Sequence, residues 1–290
     1  MLLGCALGLV AAAVGPALPS VEQLARLYGT DKQRAEHKYV DLYAMLLDPL
    51  RDTARNITEI GVLLGHSLPM WLDYFSQAHI YAVDINQQAL DAAHDYLTNS
   101  TGHSDAVMQR VHLMLGSSKY RSEMARLGIA DGSMDVVIDD GDHSPAGQEK
   151  SLLTLWPAVR PGGYYIIEDI ATGANRNTGL YSGPADRNDP SGSAGIVHRP
   201  DRLNSETRDI ISQHYAIFVD TGFTVGHGSF KKWADTLRKP ASKYQFAPVN
   251  RSDVVNHNSH LLVIRKLTAS ERASRRGANR DQRITTPSVQ

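Results

Sequence analysis

The amino-acid sequence predicts an α/β fold with a doubly wound, mostly parallel sheet and an antiparallel closing strand. Short apolar runs rich in β-branched residues alternate along the chain with longer stretches of helical periodicity. This order of strands and helices is typical of right-handed β-α-β crossovers. The composition, 42% hydrophobic and 21% charged over 290 residues, indicates one globular core with appended ends.

The chain begins with residues 1–20, which are apolar and carry no charge. Their length suits the hydrophobic part of a secretory signal better than a membrane span, but the basic residues that usually precede such a part are missing. Three interpretations stay open: a signal or anchor, a helix packed on the domain, or a gene start placed too early. The predicted localisation is accordingly secretory or cytoplasmic.

A helical preface follows over residues 21–55, where apolar residues recur at three and four steps. Residues 56–267 form the predicted main domain. Its first strands are predicted at NITEIGV and HIYAVDI, with helices at SLPMWLDYF and NQQALDAAHDYLTNS. Further strands are predicted at VHLMLG, MDVVIDD and GYYIIEDI, with helices near SEMARLGI and QEKSLLTLWPAV.

The C-terminal third is less regular. Residues 172–204 are rich in Gly, Asn, Asp, Ser, Pro and Arg and predict a long loop, of the kind that often forms a lid. The stretch SETRDIISQHYAIFV is predicted to be helical, and DVVNHNSHLLVIRK offers the last strand or a hairpin of two. Residues 268–290 are polar and basic, and predict a disordered tail.

Charge and cysteine content narrow the function classes. A formal net charge of −1 favours a small-molecule partner over nucleic acid, and argues against membrane binding beyond residues 1–20. Homo-oligomerisation stays open. Because Cys5 is the single cysteine, the chain has no internal disulfide or cysteine-rich zinc site. Any metal must therefore use oxygen or imidazole ligands.

Open α/β sheets bind ligands beyond the carboxyl ends of their strands. After the first strand, the run EIGVLLGHS brings glycines, which let a ligand approach the backbone, to the start of a helix with unpaired N–H donors. A plain tight turn is the alternative. Asp84 ends the second strand, where a carboxylate can accept both hydroxyls of a ribose or, alternatively, stabilise the next helix N-terminus.

Two later strands run into clusters of acids. The clusters contain Asp139, Asp140, Asp142 and His143 in VVIDDGDHS and Glu168 and Asp169 in YYIIEDI. Buried acids without a counter-charge would be costly, and a bound Mg²⁺, Mn²⁺ or Ca²⁺ would remove that cost. Solvated or helix-capping acids are the alternative. His143 is either a general base or a surface histidine.

Glu59 ahead of Gly61, together with Asp84, resembles the class I methyltransferase pattern, in which the strand-two acid holds the cofactor ribose. A dinucleotide oxidoreductase would instead have a glycine at position 63, where this chain has Leu63, and the commonest methyltransferase pattern also differs there. The resemblance implies a Rossmann-like fold that binds S-adenosyl-L-methionine. The implied cofactor-binding residues are Glu59, Gly61, Gly65, Ser67, Asp84, Ser117, Ser118 and Asp139.

A more specific resemblance extends over residues 24–266. The stretches LYGTDK, HKY, DLY, VIDDGDHS, LWP and PGGYYIIEDI are similar to the macrolide sugar O-methyltransferases of antibiotic biosynthesis. In that family a magnesium ion is held by the acid before the glycine and by the Glu-Asp pair, and the downstream histidine is the base. The resemblance implies Asp140, Glu168 and Asp169 as ligands of Mg²⁺ or another divalent cation, and His143 as the catalytic base.

The implied function is methylation of a hydroxyl on a small molecule, such as a vicinal diol, a sugar or a polyketide. The family also includes relatives named as cephalosporin hydroxylases, so a metal-dependent hydroxylase or hydrolase remains an alternative. A non-catalytic adenosine-binding protein is the other alternative. An oxidoreductase using a dinucleotide ranks last because of the glycine pattern.

Two further sets of side chains complete the predictions. Four residues of the preface either form a solvated polar face, which we favour, or close over the cofactor. They are Lys32, His37, Lys38 and Tyr39. Trp71 and Trp156 are expected to be core aromatics.

Overall fold

The computed structural model describes residues 18–170, 203–220, 245–246 and 260–274. The strands are β1 (Asn56–Ile60), β2 (His79–Asp84), β3 (Val111–Leu115), β4 (Met134–Asp139), β5 (Val159–Ile167), β6 (Tyr215–Asp220), β7 (Gln245–Phe246) and β8 (His260–Arg265). The helices are α1 (Val21–Tyr28), α2 (Tyr39–Leu47), α3 (Ser67–Tyr74), α4 (Gln87–Ser100), α5 (Asp105–Met108), α6 (Arg121–Arg126), α7 (Pro145–Leu155) and α8 (Ser205–Gln213). Short 3-10 turns follow α2 at Asp48–Leu50 and α7 at Trp156–Ala158.

The strands form one eight-stranded sheet in the order β3-β2-β1-β4-β5-β8-β6-β7. Neighbours from β3 to β5 are parallel, whereas β8 runs antiparallel to both β5 and β6. The predicted doubly wound α/β fold with an antiparallel closing strand is confirmed. The chain order reverses beside β1, so the carboxyl ends of β1 and β4 flank the crevice where such sheets bind ligands.

The core lies on both faces of the sheet. Every residue of β4 is buried, as expected for a central parallel strand covered by helices on both sides. Val136 and Ile138 pack with residues of α1, α2 and α3, whereas Val137 packs with residues of α7. The alternation of strand side chains therefore assigns the helical preface to one face of the sheet. Trp71 and Trp156 are buried, as predicted.

The preface begins with a capped helix. Ser20 caps α1: its hydroxyl accepts from the Gln23 amide at 3.2 Å, and the Gln23 side chain accepts from the Ser20 amide at 2.8 Å. Gly29 ends the helix in the left-handed conformation, with φ of 67°. The chain therefore leaves α1 at a defined angle, and the loop that contains Lys32 reaches the ends of the strands.

One predicted element is wrong. The stretch SETRDIISQHYAIFV is not a single helix: α8 ends at Gln213, and Tyr215–Asp220 form β6. All six residues of β6 pair with β8. The aromatic and β-branched residues of YAIFVD suit a strand between two neighbours better than a helix.

The predictions for the ends of the chain and for the long loop can be compared with the structure only in part. The predicted apolar segment and the predicted long loop lie almost wholly outside the described residues, as do residues 275–290. Residues 269–274 are helical, although the tail was expected to be disordered. Thr268 and Glu271 form a reciprocal cap there, with bonds of 2.8 and 3.3 Å. No helix in the described ranges is both long enough and apolar enough to cross a membrane.

Candidate functional site

A cavity of about 420 Å³ opens where β1, β2 and β4 end and where the chain continues from β5. The turn after β1 and the loop after α1 both line it. Among the residues that line it are Lys32, Gly61, Asp84, Asp140, His143 and Asp169. The cavity therefore brings residues from five separate parts of the chain to one edge of the sheet.

The turn after β1 lies against the end of β4. The Asp140 amide donates to the Ile60 carbonyl at 2.9 Å, and Gly61 has φ of 85°. A Cβ atom on Gly61 would lie 2.1 Å from the Asp140 carbonyl oxygen. Gly65 is similarly close to α4, because a Cβ atom there would lie 2.5 Å from Cβ of Ala93. Both glycines are therefore required by close packing.

Asp84 borders the cavity with a fixed carboxylate. Its Oδ2 accepts from the Val62 amide at 2.8 Å, and its Oδ1 accepts from the Asn86 amide at 2.8 Å. Asn86 itself caps α4 by accepting from the Gln88 amide at 2.9 Å. Each Asp84 oxygen can still accept a second hydrogen bond, because a carboxylate offers about four lone pairs. Asp84 is therefore held in place by two backbone amides and can still accept hydrogen bonds from a ligand.

Glu59 lies beneath the turn instead of facing the cavity. The side chain is fully buried; its Oε2 accepts from the Ser67 hydroxyl at 2.8 Å, and its Oε1 lies 3.7 Å from Lys32 Nζ. Burial raises the pKa of Glu59 to about 7, against the lowering effect of the Lys32 charge. Ser67 lines the cavity. Glu59 therefore supports the turn through Ser67.

Asp140 and Asp169 are the two acids of the clusters that border the cavity. Lys32 Nζ donates to Asp140 Oδ2 at 2.8 Å, and the Tyr39 hydroxyl donates to Asp169 Oδ1. Asp169 has φ of 51°, a left-handed conformation that is uncommon outside glycine and costly to hold. Burial, and next the charge of Asp140, raise the pKa of Asp169. The two carboxylates therefore face one space.

Glu168 is buried at the bottom of the same cluster, 1% exposed. Lys32 Nζ donates to its Oε2 at 2.7 Å, and the Tyr43 hydroxyl donates to its Oε1. Burial raises the pKa of Glu168 well above its ordinary value, although Lys32 opposes the shift. For Lys32, burial alone would lower the pKa, but the carboxylates of Asp140, Glu168 and Glu59 raise it well above its ordinary value.

His143 completes a cluster that could hold a metal ion. One ligand atom each from Asp140, His143 and Asp169 lies within 4.8 Å of the others. The Nδ1 atom of His143 is buried and makes no hydrogen bond to any described residue. The carboxylate oxygens of Asp140 and Asp169 suit Mg²⁺ or Mn²⁺. The residues present therefore fit a divalent cation at this edge.

Other predicted residues do not line this cavity. Asp139, expected to border the cofactor, is 1% exposed and accepts from the Tyr165 hydroxyl at 2.8 Å. Ser118 is buried, with its hydroxyl 2.6 Å from that of Ser151. Ser117 is not among the lining residues either. Asp142 pairs with Lys119, and hydrogen bonds outweigh burial to lower the pKa of Asp142 to about 2.

The prediction of a solvated polar face on the preface is wrong for Lys32 and Tyr39. Lys32 is 2% exposed, and Tyr39 is 1% exposed. Tyr43, which lies on the same helix as Tyr39, was not singled out from the sequence at all. A signal was available, because Tyr39 and Tyr43 are four residues apart and therefore share one face of α2. Their partners could not be inferred from that spacing.

Residues 58–170 match the protein family described as a methyltransferase domain. The 8-demethyl-8-alpha-L-rhamnosyl tetracenomycin-C 2'-O-methyltransferase of Streptomyces olivaceus is 34% identical over 171 residues, which are 57% of this chain and 41% of that protein. The mycinamicin VI 2''-O-methyltransferase of Micromonospora griseorubida is 31% identical over 170 residues, which are 56% of this chain and 39% of that protein. The chain thus spans about two fifths of the length of these relatives.

The fold is shared with a solved structure of the MycE methyltransferase from the mycinamycin biosynthetic pathway, in complex with Mg and SAH. The match covers 87% of this chain and 56% of that one, with 22% identity and a TM-score of 0.50. At this level of identity the similarity establishes the architecture of the sheet and its helices.

Proposed function

We propose that this chain is an S-adenosylmethionine-dependent, divalent-metal-assisted O-methyltransferase, since residues 58–170 match a family described as a methyltransferase domain. The observation that carries the proposal is the convergence of Asp140, His143 and Asp169 in the cavity that also contains Gly61 and Asp84. Two carboxylates that could bind a metal ion, a histidine that could accept a proton and a carboxylate that could bind a ribose therefore border the same cavity.

The donor would lie over the turn after β1. Gly61 brings backbone to the cavity without a side chain, and Asp84 has unused acceptor capacity for two ribose hydroxyls. Ser67 begins α3 beside this turn and lines the cavity. These residues bind and orient; they do not take part in bond making.

The metal ligands would be Asp140, Glu168 and Asp169. Asp140 and Asp169 already face the cavity. Glu168 accepts one bond at each oxygen, from Lys32 and Tyr43, so each oxygen keeps a lone pair for a cation. S-adenosylmethionine supplies a methyl group on a positively charged sulfur, and the divalent cation supplies charge that lowers the pKa of an acceptor hydroxyl.

His143 would remove the proton from the acceptor. Its Nδ1 atom has no partner among the described residues, and a neutral imidazole has one nitrogen lone pair that can accept a proton. The acceptor oxygen forms a bond to the methyl carbon as the carbon–sulfur bond breaks, and the hydroxyl proton passes to His143. The products are the methyl ether, S-adenosylhomocysteine and one proton, so the step balances.

The proposed acceptor class is drawn from the relatives, two of which are named as O-methyltransferases of a rhamnosyl tetracenomycin and of mycinamicin VI. A sugar with neighbouring hydroxyls could place two oxygens on one cation, and chelation would orient the attacking one. We propose a glycosylated polyketide or similar small molecule. A metal-dependent hydroxylase or hydrolase remains the second candidate because it would use the same acids.

Calorimetry tests the donor and the metal together. The wild-type protein should bind S-adenosylmethionine with a micromolar to millimolar dissociation constant, and Mg²⁺ should bind the same protein. The variant Asp140→Asn should lose about 10-fold or more in Mg²⁺ affinity while keeping donor affinity. A wild type that binds Mg²⁺ but no donor would favour the hydrolase or hydroxylase alternative.

Methyl transfer to rhamnosylated or other vicinal-diol acceptors tests the chemistry. The variant His143→Gln should lower kcat by about 10²–10⁴-fold, because removal of a general base typically costs that much. Its affinity for S-adenosylmethionine should stay at the wild-type value, since His143 contacts the acceptor side. Unchanged kcat in this variant would assign the proton transfer to another group.

A further inference from the structure

The peptide group that joins Glu168 to Asp169 is held by a side chain at each of its polar atoms. Its carbonyl oxygen accepts from Gln148 Nε2 at 3.0 Å, and its amide donates to the Tyr39 hydroxyl at 3.3 Å. Asp169 follows this peptide with φ of 51°. Because a left-handed conformation is costly outside glycine, it persists only where the surrounding structure fixes it. The two bonds therefore hold the backbone from which the Asp169 side chain borders the cavity.

Gln148 lies in α7 and is 2% exposed, but it is not among the residues that line the cavity. An amide side chain is costly to bury unless it is hydrogen-bonded, because it gives up its bonds to water. An apolar residue of similar length would avoid that cost and would gain from burial. Such a residue would, however, leave the buried Glu168 carbonyl without this donor. The bond to the Glu168 carbonyl is therefore the contribution that distinguishes Gln148 from an apolar side chain.

The first turn of α7 also holds the segment that contains His143. Ser144, the next residue, caps the helix by accepting from the Gly147 amide at 3.1 Å. On the other side of His143, Asp142 Oδ1 accepts from the Ser144 amide at 2.8 Å. A Cβ atom on Gly147 would lie 2.3 Å from Asp142 Cγ, so this segment packs closely on the helix. Gln148 lies in the same turn, and its amide donates to the Ser144 carbonyl at 2.9 Å.

We propose that Gln148 is a positioning residue, which fastens the first turn of α7 to the peptide before Asp169 and so holds Asp169 opposite His143 as a cation ligand. One ligand-type atom of Asp169 lies within 4.8 Å of one on His143. The inference rests on the proposed function, because that function makes Asp169 a ligand and His143 the proton acceptor. Gln148 acts through the backbone of Glu168, and groups that hold metal ligands in place strongly affect metal affinity.

Three variants separate this role from a purely structural one. Gln148→Met keeps the length of the side chain but removes the donor, and Gln148→Asn keeps an amide that is one methylene too short. Thr154→Val is the matched control on the same helix. Thr154 is 8% exposed, does not line the cavity and donates to the Lys119 carbonyl at 3.2 Å. Valine has nearly the same shape but cannot form this bond.

Mn²⁺ is the metal probe, and electron paramagnetic resonance measures both its dissociation constant and the spectrum of the bound ion. Calorimetry with S-adenosylmethionine measures donor affinity in the same proteins. Thermal unfolding without metal or donor gives the Tm of each variant, so that a loss of metal affinity can be compared with a loss of stability.

The expected result is a dissociation constant for Mn²⁺ that rises about tenfold or more in both Gln148 variants, with an altered spectrum of the bound ion and wild-type donor affinity. Thr154→Val should lower the Tm but bind Mn²⁺ as the wild type does. Wild-type Mn²⁺ affinity in either Gln148 variant, or an equal loss of affinity in Thr154→Val, would overturn the positioning role and leave the proposed function standing. If the wild type itself binds no Mn²⁺, the metal-assisted function fails and the inference fails with it.

Discussion

The acidic pair at the end of β4 and the pair that follows β5 are alike in sequence but differ in how their buried member is stabilised. In both pairs the first acid is buried and the second borders the cavity. Glu168 receives a bond from the ammonium of Lys32. Among the described residues, Asp139 has two uncharged hydrogen-bond donors as partners, the Tyr165 hydroxyl and the Gly141 amide.

Burial raises the pKa of both buried acids, so the difference between them lies in what opposes that shift. Burial raises the pKa of Asp139 to about 7, and no described cation opposes the shift. Glu168 is held beside a full positive charge that also contacts Asp140. The Lys32 charge opposes the effect of burial on the pKa of Glu168, whereas at Asp139 the opposing effects come from hydrogen bonds to uncharged groups. Three substitutions would break or sharpen this comparison.

The largest expected effect is on stability, from Lys32→Met. Methionine keeps most of the side-chain length but removes the charge, which leaves Glu168 and Asp140 without their cation. Breaking a buried ion pair in this way should lower the free energy of unfolding by about 3–5 kcal/mol. Urea denaturation of both proteins at the same pH measures this difference in the free energy of unfolding.

The control for this change is Lys119→Met. This variant removes the ion pair between Lys119 and Asp142, in which the two side chains are 38% and 34% exposed. An exposed ion pair contributes about 0–1 kcal/mol to the free energy of unfolding. Equal losses in the two variants would contradict the assignment of Lys32 as the buried counter-charge.

A smaller effect is expected from Gly61→Ala, which tests how the turn after β1 positions Asp140. The new Cβ would meet the Asp140 carbonyl, so backbone must move and the cavity-facing acid with it. Gly162→Ala has nearly the same φ, 87° against 85°, but open space around the new atom. We expect Gly61→Ala to be less stable than Gly162→Ala by about 1–3 kcal/mol. Similar Tm values for the two would show that the turn adapts without strain.

The smallest effect depends on pH and comes from Asp139→Asn. With its pKa raised to about 7, folded Asp139 holds a proton that the unfolded chain releases above about pH 4. Its contribution to stability is therefore complete below about pH 4 and is lost as the pH rises to about 7. Asparagine cannot ionise, so the variant avoids this loss. Its free energy of unfolding, relative to that of the wild type, should rise by on the order of 2 kcal/mol between pH 5 and pH 8.

The coupled control for that prediction is Tyr165→Phe. The Tyr165 hydroxyl lowers the pKa of Asp139, so its removal should shift the loss of stability to higher pH. Unfolding free energies at several pH values measure both variants. A pH profile that stays parallel to the wild type in both would mean that Asp139 is ionised in the folded protein.

Much of the fold follows from local sequence pattern. The first five strands and, apart from the short helix α5, the helices between them were predictable because each apolar run is separated from the next by a stretch with the period of a helix. The pattern failed at β6, since only His214 separates it from α8 and apolar residues continue without a turn signal. Pairing with β8, which lies more than forty residues further along, decides that segment.

The candidate site was predictable in its chemistry and less so in its arrangement. The residues Asp140, His143 and Asp169 were identified from sequence, and the structure brings them together. Ser117, Ser118 and Asp139 were assigned to the cofactor by analogy, but they lie away from the cavity lining. The bonds that fix Glu168 were not predictable, because its partner Lys32 lies 136 residues away in sequence.

The sequence by itself determined the order of strands and helices and the placing of acids at strand ends, because periodicity and residue type are local properties. Tertiary structure alone decided which acid of each pair faces the cavity and which acid has a counter-charge. Those outcomes depend on strand alternation within a packed sheet and on the packing of the preface against one face of it. Lys32 became part of the site because folding buries its ammonium among three carboxylates.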